Sequence, residues 1–516
     1  MCFWVQDFSF FVCPGRTKTM KIDHNSIAVQ PKKLEKLLRE QGFNGNPYRF
    51  IIGDLKLMST WLKQAHSNPV IDLSDDISPR VIPEVIHLTH KYGKNTYIWY
   101  GPVPSILVQD PKLVWEASQD VNLFHKHDSS EFSRLLAPGL ASYNGAKWAK
   151  HRKLVTPAFR MEKLKHMLPP FVTSTNELLR KWEEIVSPQG WFELDVWPSF
   201  STLSSDAISR TAFGSSYEEG RRIFELQEEL TALLINSMGS SFIPGWRYLP
   251  TARNRRMRQI VKDVDDSIRH IINTRLNAAR TGKSCENDLL GILLDSNSQE
   301  IDEQGNKGFG MTIEEVIAEC KVFYFAGQET TSLLLVWTMI LLSRYEEWQT
   351  RAREEVRQTF GSNQPDFEGL NHLKVVHMIL QEALRLYPPL PVNARITTAD
   401  VKLGDKTIPA GTFLFLQILL IHRDPEIWGD SVNEFKPERF SEGVSNATKG
   451  KLGFFPFGAG PRICVGQNYS ILEAKLVIAM ILLRFSFELS PSYTHAPRSV
   501  ITLKPQFGAH LILRKL

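Results

Sequence analysis

A mainly α-helical fold with a small β portion, built as one large domain, is what this sequence predicts. Three observations carry the prediction. Apolar residues recur with helical periodicity through most of the stretch from about Lys112 to Phe360. Strand-like patterns are confined to short segments near residues 96–108, 395–420 and 500–513. No internal repeat, low-complexity tract or Gly/Ser-rich linker divides the 516 residues, and a hydrophobic content of 42% supplies a large core.

Taken in order, Met1–Gln30 is atypical. Its first thirteen residues are aromatic and apolar but short, and they include Asp7. They have neither the cationic start nor the cleavage site of a secretory signal. No segment reaches the roughly 20 apolar residues that span a bilayer. Residues 1–30 are therefore expected to lack a clear membrane anchor, and residues 31–516 to form the domain. Thr96–Tyr100, a Gly101-Pro102 turn and Ser105–Val108 read as a hairpin. The run Arg253-Asn254-Arg255-Arg256-Met257-Arg258 opens a helical pattern of mixed sign and reads as a solvated helix start.

Thr312 followed by Glu315 is a capping box, and the pattern continues to about Ser343, roughly 45 Å at 1.5 Å per residue. Leu333–Leu342 is apolar nearly all round, so this helix should thread the core. Gly327, Gln328, Glu329, Thr330 and Thr331 in mid-span are unusual for a buried helix, because glycine weakens it by about 1 kcal/mol and buried polar groups need partners. Glu382 and Arg385 share a face of a later helix that ends at Pro388-Pro389.

The densest signal is Phe457-Gly458-Ala459-Gly460-Pro461-Arg462-Ile463-Cys464-Val465-Gly466, followed at once by an apolar-periodic helix. The glycines and Pro461 permit a tight loop whose N–H groups can face a sulfur anion. Phe457 can shield that sulfur. Arg462 supplies a cation to keep it deprotonated or to hold a cofactor carboxylate. Gly466 lets the backbone approach a flat ring. Such a loop suits one thiolate held against a metal macrocycle, whereas a lone cysteine elsewhere is usually an inert buried side chain. The five cysteines are scattered and form no C-x-x-C pair, which excludes a disulfide framework or a structural zinc site. A third ligand is missing near His87 and His90, and near His125 and His127, so neither pair makes a metal clip. A net charge of +5 is mild and dispersed, and does not argue for nucleic acid.

The Phe-x-x-Gly-x-Arg-x-Cys-x-Gly pattern resembles the haem-thiolate loop of cytochromes P450, and the likeness covers about Pro31 to Leu516. Stretches such as Pro31–Leu38, Gln41-Gly42-Phe43, Leu154–Phe159 and Phe507–Leu511 are most similar to the plant 72 clan, in particular its 72A subfamily. The resemblance implies the cytochrome P450 fold, one haem-binding domain, haem b and Cys464 as axial ligand of the iron. It implies that Ala326–Thr331 forms an oxygen-binding groove in which Glu329 and Thr330 relay protons. The plainer alternative is a helix kink with Thr330 bonded back to the carbonyl of Ala326.

The same resemblance implies that Trp148, Arg152, Arg395 and Arg462 hold the haem propionates, with Phe457, Gly458 and Gly466 lining the cofactor. Glu382, Arg385 and Arg439 become a structural charge triad, and Phe323, Ala326 and Val392 face the substrate. Lys147, Lys150 and Lys153 are then a docking patch for an acidic flavoprotein, or simply solvated. The loop Phe242–Pro250 either caps the core or dips into a membrane. Two departures stand out: relatives begin with a membrane helix and a proline-containing hinge, and Ala459 stands where close relatives often carry Trp.

The expected activity is a haem-thiolate monooxygenase that oxidises a small hydrophobic, isoprenoid-derived plant metabolite (triterpenoid, gibberellin-type diterpenoid or iridoid) with O2. NADPH acts only through NADPH–cytochrome P450 reductase, at the cytosolic face of the endoplasmic reticulum membrane. The rivals are a haem-thiolate isomerase or dehydratase acting on peroxides, which intact Glu329-Thr330 disfavours, and a non-catalytic haem or ligand carrier.

Overall fold

In a computed structural model of the chain, residues 29–67, 69, 72–127, 132–186, 190–214, 217–237, 246–280, 288–304 and 310–516 are described. The atypical segment before Val29, with Cys2 and Cys13, lies outside these residues, as do Cys285 and the first half of the Phe242–Pro250 loop. The element that orders the rest is the central helix Ile313–Arg344. It starts where its capping box predicts: Glu315 N–H donates to Thr312 Oγ1 (3.2 Å), and Thr312 N–H donates back to Glu315 Oε2 (3.1 Å). It is long and apolar enough to cross a membrane, yet it is mostly buried within the protein.

Its second half, Thr331–Ser343, is buried throughout, as predicted. Gly327 is explained by packing. A Cβ there would lie 2.8 Å from the side chain of Ile208, on the helix Val196–Phe213 that runs against it. Glycine thus gives up helix propensity for close approach. From the other side comes the helix Gln467–Arg484, whose Ser470 Oγ lies 3.1 Å from Thr331 Oγ1.

Twelve short strands are described, most of them in the later part of the chain: β1 (Tyr97–Tyr100), β2 (Val103–Val108), β3 (Phe124–His125), β4 (Trp191–Asp195), β5 (Asn393–Thr397), β6 (Val401–Leu403), β7 (Lys406–Ile408), β8 (Phe413–Leu416), β9 (Phe485–Leu489), β10 (Pro497–Val500), β11 (Thr502–Pro505) and β12 (His510–Lys515). The predicted hairpin is β1–β2, paired antiparallel from Tyr97↔Ile106 to Tyr100↔Val103. It opens a mixed sheet of order β1-β2-β8-β5-β3, in which β2 and β8 are parallel. A second sheet, β4-β12-β9, includes a strand within the region read as helical. β4 was hidden because three of its five residues are exposed and none is buried. β10 and β11 form a hairpin turned by Ile501 alone, at a φ of 72° that β-branched residues rarely adopt. Trp337 Nε1 on the central helix donates to Leu503 O (2.9 Å) and fixes that hairpin in place.

The charged triad forms inside the core. Arg385 donates from Nε and Nη2 to both oxygens of Glu382 (2.7 Å each), with neither side chain exposed. Arg439 Nε reaches Glu382 Oε1 at 3.3 Å. Arg385 Nη1 also donates to the carbonyls of His422 (2.9 Å) and Val432 (2.7 Å), so one guanidinium ties the helix Lys374–Leu386 to two further segments. Of the Phe242–Pro250 loop, Trp246 is buried beneath the guanidinium of Arg253 (4.8 Å) while Tyr248 and Leu249 are exposed. Its described half both caps the core and presents an apolar edge.

Replacing Arg385 with Met should strand the Glu382 carboxylate in the core and cost about 3–5 kcal/mol. Denaturant unfolding of the haem-loaded protein measures it, and a loss below about 1 kcal/mol would contradict the buried triad.

Candidate active site

The cysteine loop owes its shape to two glycines. Gly458 and Gly460 adopt φ of 77° and 67°, and a Cβ on Gly460 would lie 2.2 Å from the carbonyl oxygen of Ser118. Ile463 N–H donates to Gly460 O (3.0 Å) and Cys464 N–H to Phe457 O (2.9 Å), closing the loop on itself before the helix begins. Ala459 is buried, and Phe457 packs half-buried against the main core. The Cys464 sulfur is reachable by solvent yet enclosed by protein on most sides. Burial pushes its thiol up, while the Gly466 N–H and the Arg152 guanidinium pull it down. Arg152 Nη1 donates to Ile463 O (2.9 Å), which holds that cation at the sulfur.

Beside this loop the fold gathers positive charge. Pairing of β3 with β5 sets Phe124 opposite Thr397 and His125 opposite Ile396, which brings the following Lys126 level with Arg395. Lys126 Nζ donates to Asn393 Oδ1 (2.7 Å), and Arg395 Nη1 reaches the same oxygen at 3.2 Å. Arg462 Nη2 donates to Asn144 Oδ1 (2.9 Å) and Tyr143 O (2.7 Å), and its guanidinium lies 4.6 Å from the Trp148 ring centroid. Among the described residues none of the three cations is paired with a carboxylate, and Arg462 Nε is buried without a partner.

Desolvation, followed by mutual repulsion, pushes Lys126 well below its ordinary value. The same two causes push Arg395 down to about 10, and burial alone takes Arg462 to about 10. A buried cluster of this kind is completed by an anion. The two carboxylates of haem b meet that need, so the residues present fit the cofactor: Cys464 for the iron, and Lys126, Arg395, Arg462 and Trp148 for the carboxylates.

The central helix supplies the facing wall. It is buried almost continuously from Val316 to Tyr324 and again from Thr331, but more accessible around Phe325–Thr330. Thr330 Oγ1 donates to Ala326 O (2.7 Å), the local bond that a helix kink would use. Glu329 turns to the β10–β11 hairpin, where Thr502 Oγ1 donates to its Oε1 (2.7 Å) and Lys504 Nζ lies 2.5 Å from the same oxygen. The acid and the alcohol therefore have separate partners. Of the expected substrate-facing residues, Ala326 and half-buried Val392 are accessible. Phe323 is only 5% exposed and packs edge-on against Phe159 at 5.8 Å.

Two of the three lysines expected to dock a partner are occupied. Lys147 and Lys150 lie 3.1 and 3.5 Å from the carboxylate of Glu315, and His151 Nδ1 meets Glu319 Oε1 at 2.6 Å one turn along. These contacts bind the helix Gly145–Val155 to the central helix. Among the described residues no three His, Cys, Asp or Glu side chains converge as a metal cage. His87 instead stacks on Trp61, and His127 lies edge-on to Phe413. Lys126, Asn144 and Asn393 were missed from sequence, because nothing local distinguishes them from surface residues.

Comparison with known proteins gives the family. The Cytochrome P450 family profile matches residues 80–506. "Cytochrome P450 CYP72A219" of Panax ginseng is 56% identical over 493 residues, covering 95% of each chain. "Cytochrome P450 72A397" of Kalopanax septemlobus is 54% identical over 492 residues, covering 95% of this chain and 94% of the relative. "Secologanin synthase 1" of Catharanthus roseus is 51% identical over 489 residues, covering 94% and 93%.

Lys126→Met should lower haem retention about tenfold, the worth of one charge-assisted hydrogen bond. It should not lower the melting temperature of the haem-free protein, because it removes a half-buried cation that has no carboxylate partner among the described residues. Haem transfer to an acceptor protein measures the first effect and thermal unfolding the second. Unchanged transfer would exclude Lys126 from the cofactor cradle.

Proposed function

Because the chain belongs to the cytochrome P450 family, in the vicinity of its plant 72A members, and is a haem b monooxygenase by that membership, we propose that Cys464 is its axial ligand and that it oxidises an isoprenoid-derived metabolite. The observation that carries the ligand assignment is the pairing of a solvent-reachable thiol with buried Arg395 and half-buried Lys126 and Arg462, none with a carboxylate partner among the described residues. When bound through a thiolate, haem supplies reductive activation of dioxygen and insertion of one oxygen atom into a C–H bond.

The protein's own residues set the conditions. Gly466 N–H and Arg152 oppose the burial that raises the Cys464 thiol, and the cation cluster would hold the carboxylate edge of the cofactor. On the opposite side, the accessible Phe325–Thr330 stretch offers a polar patch in an apolar wall. Thr330 can rotate its hydroxyl from the Ala326 carbonyl toward a bound ligand and donate a proton there, with Glu329 as the nearby source. Reaching that role requires Glu329 to exchange its present partners, Thr502 and Lys504.

Accessible Ala326 and half-buried Val392 give the site an apolar lining that suits a terpenoid. The relative named for secologanin synthesis, together with the likeness to a subfamily that oxidises triterpenes, iridoids and gibberellin-type compounds, supports that class. Electrons are assigned to NADPH–cytochrome P450 reductase and the location to the cytosolic face of the endoplasmic reticulum, both by family likeness. Since Lys147 and Lys150 are engaged by Glu315, reductase docking would rest on other cations of that face.

Cys464→Ser should abolish the carbon-monoxide band of the reduced enzyme, and an unchanged band would refute the ligand assignment. Thr330→Ala should bind haem normally yet divert NADPH consumption to peroxide, and full coupling to product would refute the proton role. Co-expression with a plant reductase and a panel of triterpenes, gibberellins and iridoids, read by mass spectrometry, tests the substrate class. Turnover confined to unrelated lipophiles would overturn it.

A further inference from the structure

The charged triad and the cysteine loop lie far apart along the chain, but a single side chain joins them. His422 ends the short helix Ile418–His422 and has no exposed surface. Its carbonyl accepts from Arg385 Nη1 at 2.9 Å, so its backbone is held by the Glu382–Arg385 pair. Its ring faces the other way. Phe455 N–H donates to His422 Nε2 at 2.9 Å, and the imidazole stacks on Phe454 with centroids 5.3 Å apart.

Phe455 is where the chain turns toward the thiol. Its carbonyl accepts from Gly458 N–H (3.0 Å), forming the turn that leads into the loop, and Phe457 O then accepts from Cys464 N–H (2.9 Å). Phe455 is only 5% exposed, so without His422 its N–H would be buried and unpaired. The acceptor role requires a neutral ring with its proton on Nδ1. Burial, then the cation of Arg385, push His422 down to about 3; the backbone of Arg385 and Leu384 opposes the shift, and Arg423 adds a smaller push. The ring is therefore neutral across the working pH range.

We infer that His422 is a positioning residue for the metal-ligating loop: it transmits the rigidity of the Glu382–Arg385 pair through Phe455 to the turn that places Cys464. This rests on Cys464 being the iron ligand, but the hydrogen bond it invokes can be read independently of the metal.

The test compares wild type, His422→Phe and His422→Gln, purified with haem. Glutamine presents an amide oxygen near the position of Nε2 and can accept from Phe455, whereas phenylalanine keeps the stacking and cannot. Hydrogen–deuterium exchange of the peptide containing Phe455 should accelerate about tenfold in His422→Phe and return toward wild type in His422→Gln. The fraction of haem in the thiolate-ligated carbon-monoxide form should fall by more than half in the first variant and recover in the second. Slow exchange and a full band in His422→Phe would overturn the proposal, as would a glutamine variant no better than phenylalanine. Should His422→Phe not accumulate as folded protein, His422→Asn, whose shorter amide falls short of Phe455, takes its place against His422→Gln. A wild type with no thiolate band would instead refute the ligand assignment, and the exchange comparison would still decide whether His422 holds the turn.

Discussion

Buried charge is the constraint on which this structure depends, and the molecule resolves it in two opposite ways. At Glu382 and Arg385 the charge is neutralised on the spot: two fully buried ions share two hydrogen bonds, and the remaining guanidinium protons go to backbone carbonyls. That arrangement stabilises only while complete, because either ion alone would be intolerable in the core. At Lys126, Arg395 and Arg462 the charge is left open, with asparagine oxygens and carbonyls separating three cations that have no described anion. The first arrangement belongs to the fold. The second has a physical reason to exist only if something negative is to be bound.

Between the two lies the central helix, whose uneven accessibility makes the site. A helix buried at both ends and open in the middle needs neighbours that diverge there, and Gly327 shows how it is done. Close packing of Ile208 against the glycine draws one neighbour in on a single side. The residues around Phe325 to Thr330 are left more accessible. The local weakness glycine brings to a helix is offset by capping at Thr312 and by burial of everything from Thr331 to Ser343. Toward the start of that helix, Glu315 and Glu319 bind the Trp148 helix, so the walls of the cleft share one frame.

Much of this was legible in the sequence, because the relevant signals are local. The capping box fixed the start of the central helix to the residue. The Gly-rich loop announced Cys464, and the Glu382-to-Arg385 spacing placed both charges on one face. What escaped notice depends on distant pairing. Lys126 sits in an unremarkable string of histidines and becomes part of the site only through the pairing of β3 with β5, far along the chain. Lys147 and Lys150 read as a docking patch or as plainly solvated because their partner, Glu315, lies on another helix. Thr330 and Glu329 were paired through the resemblance of Ala326–Thr331 to the family's oxygen-binding groove. Successive helix positions point about 100° apart, which is why the structure gives them different partners.

The bond between Glu329 and the β10–β11 hairpin has a mechanical side. Thr502 and Lys504 grip one carboxylate oxygen, and both belong to the strand that follows the strained Ile501 turn. Since a proton role asks that carboxylate to leave both anchors, a guest that displaces the hairpin frees it, whereas one that leaves the hairpin in place keeps it held. Discrimination can then be exercised after entry, so that a poor substrate is betrayed less by weak affinity than by squandered reducing equivalents.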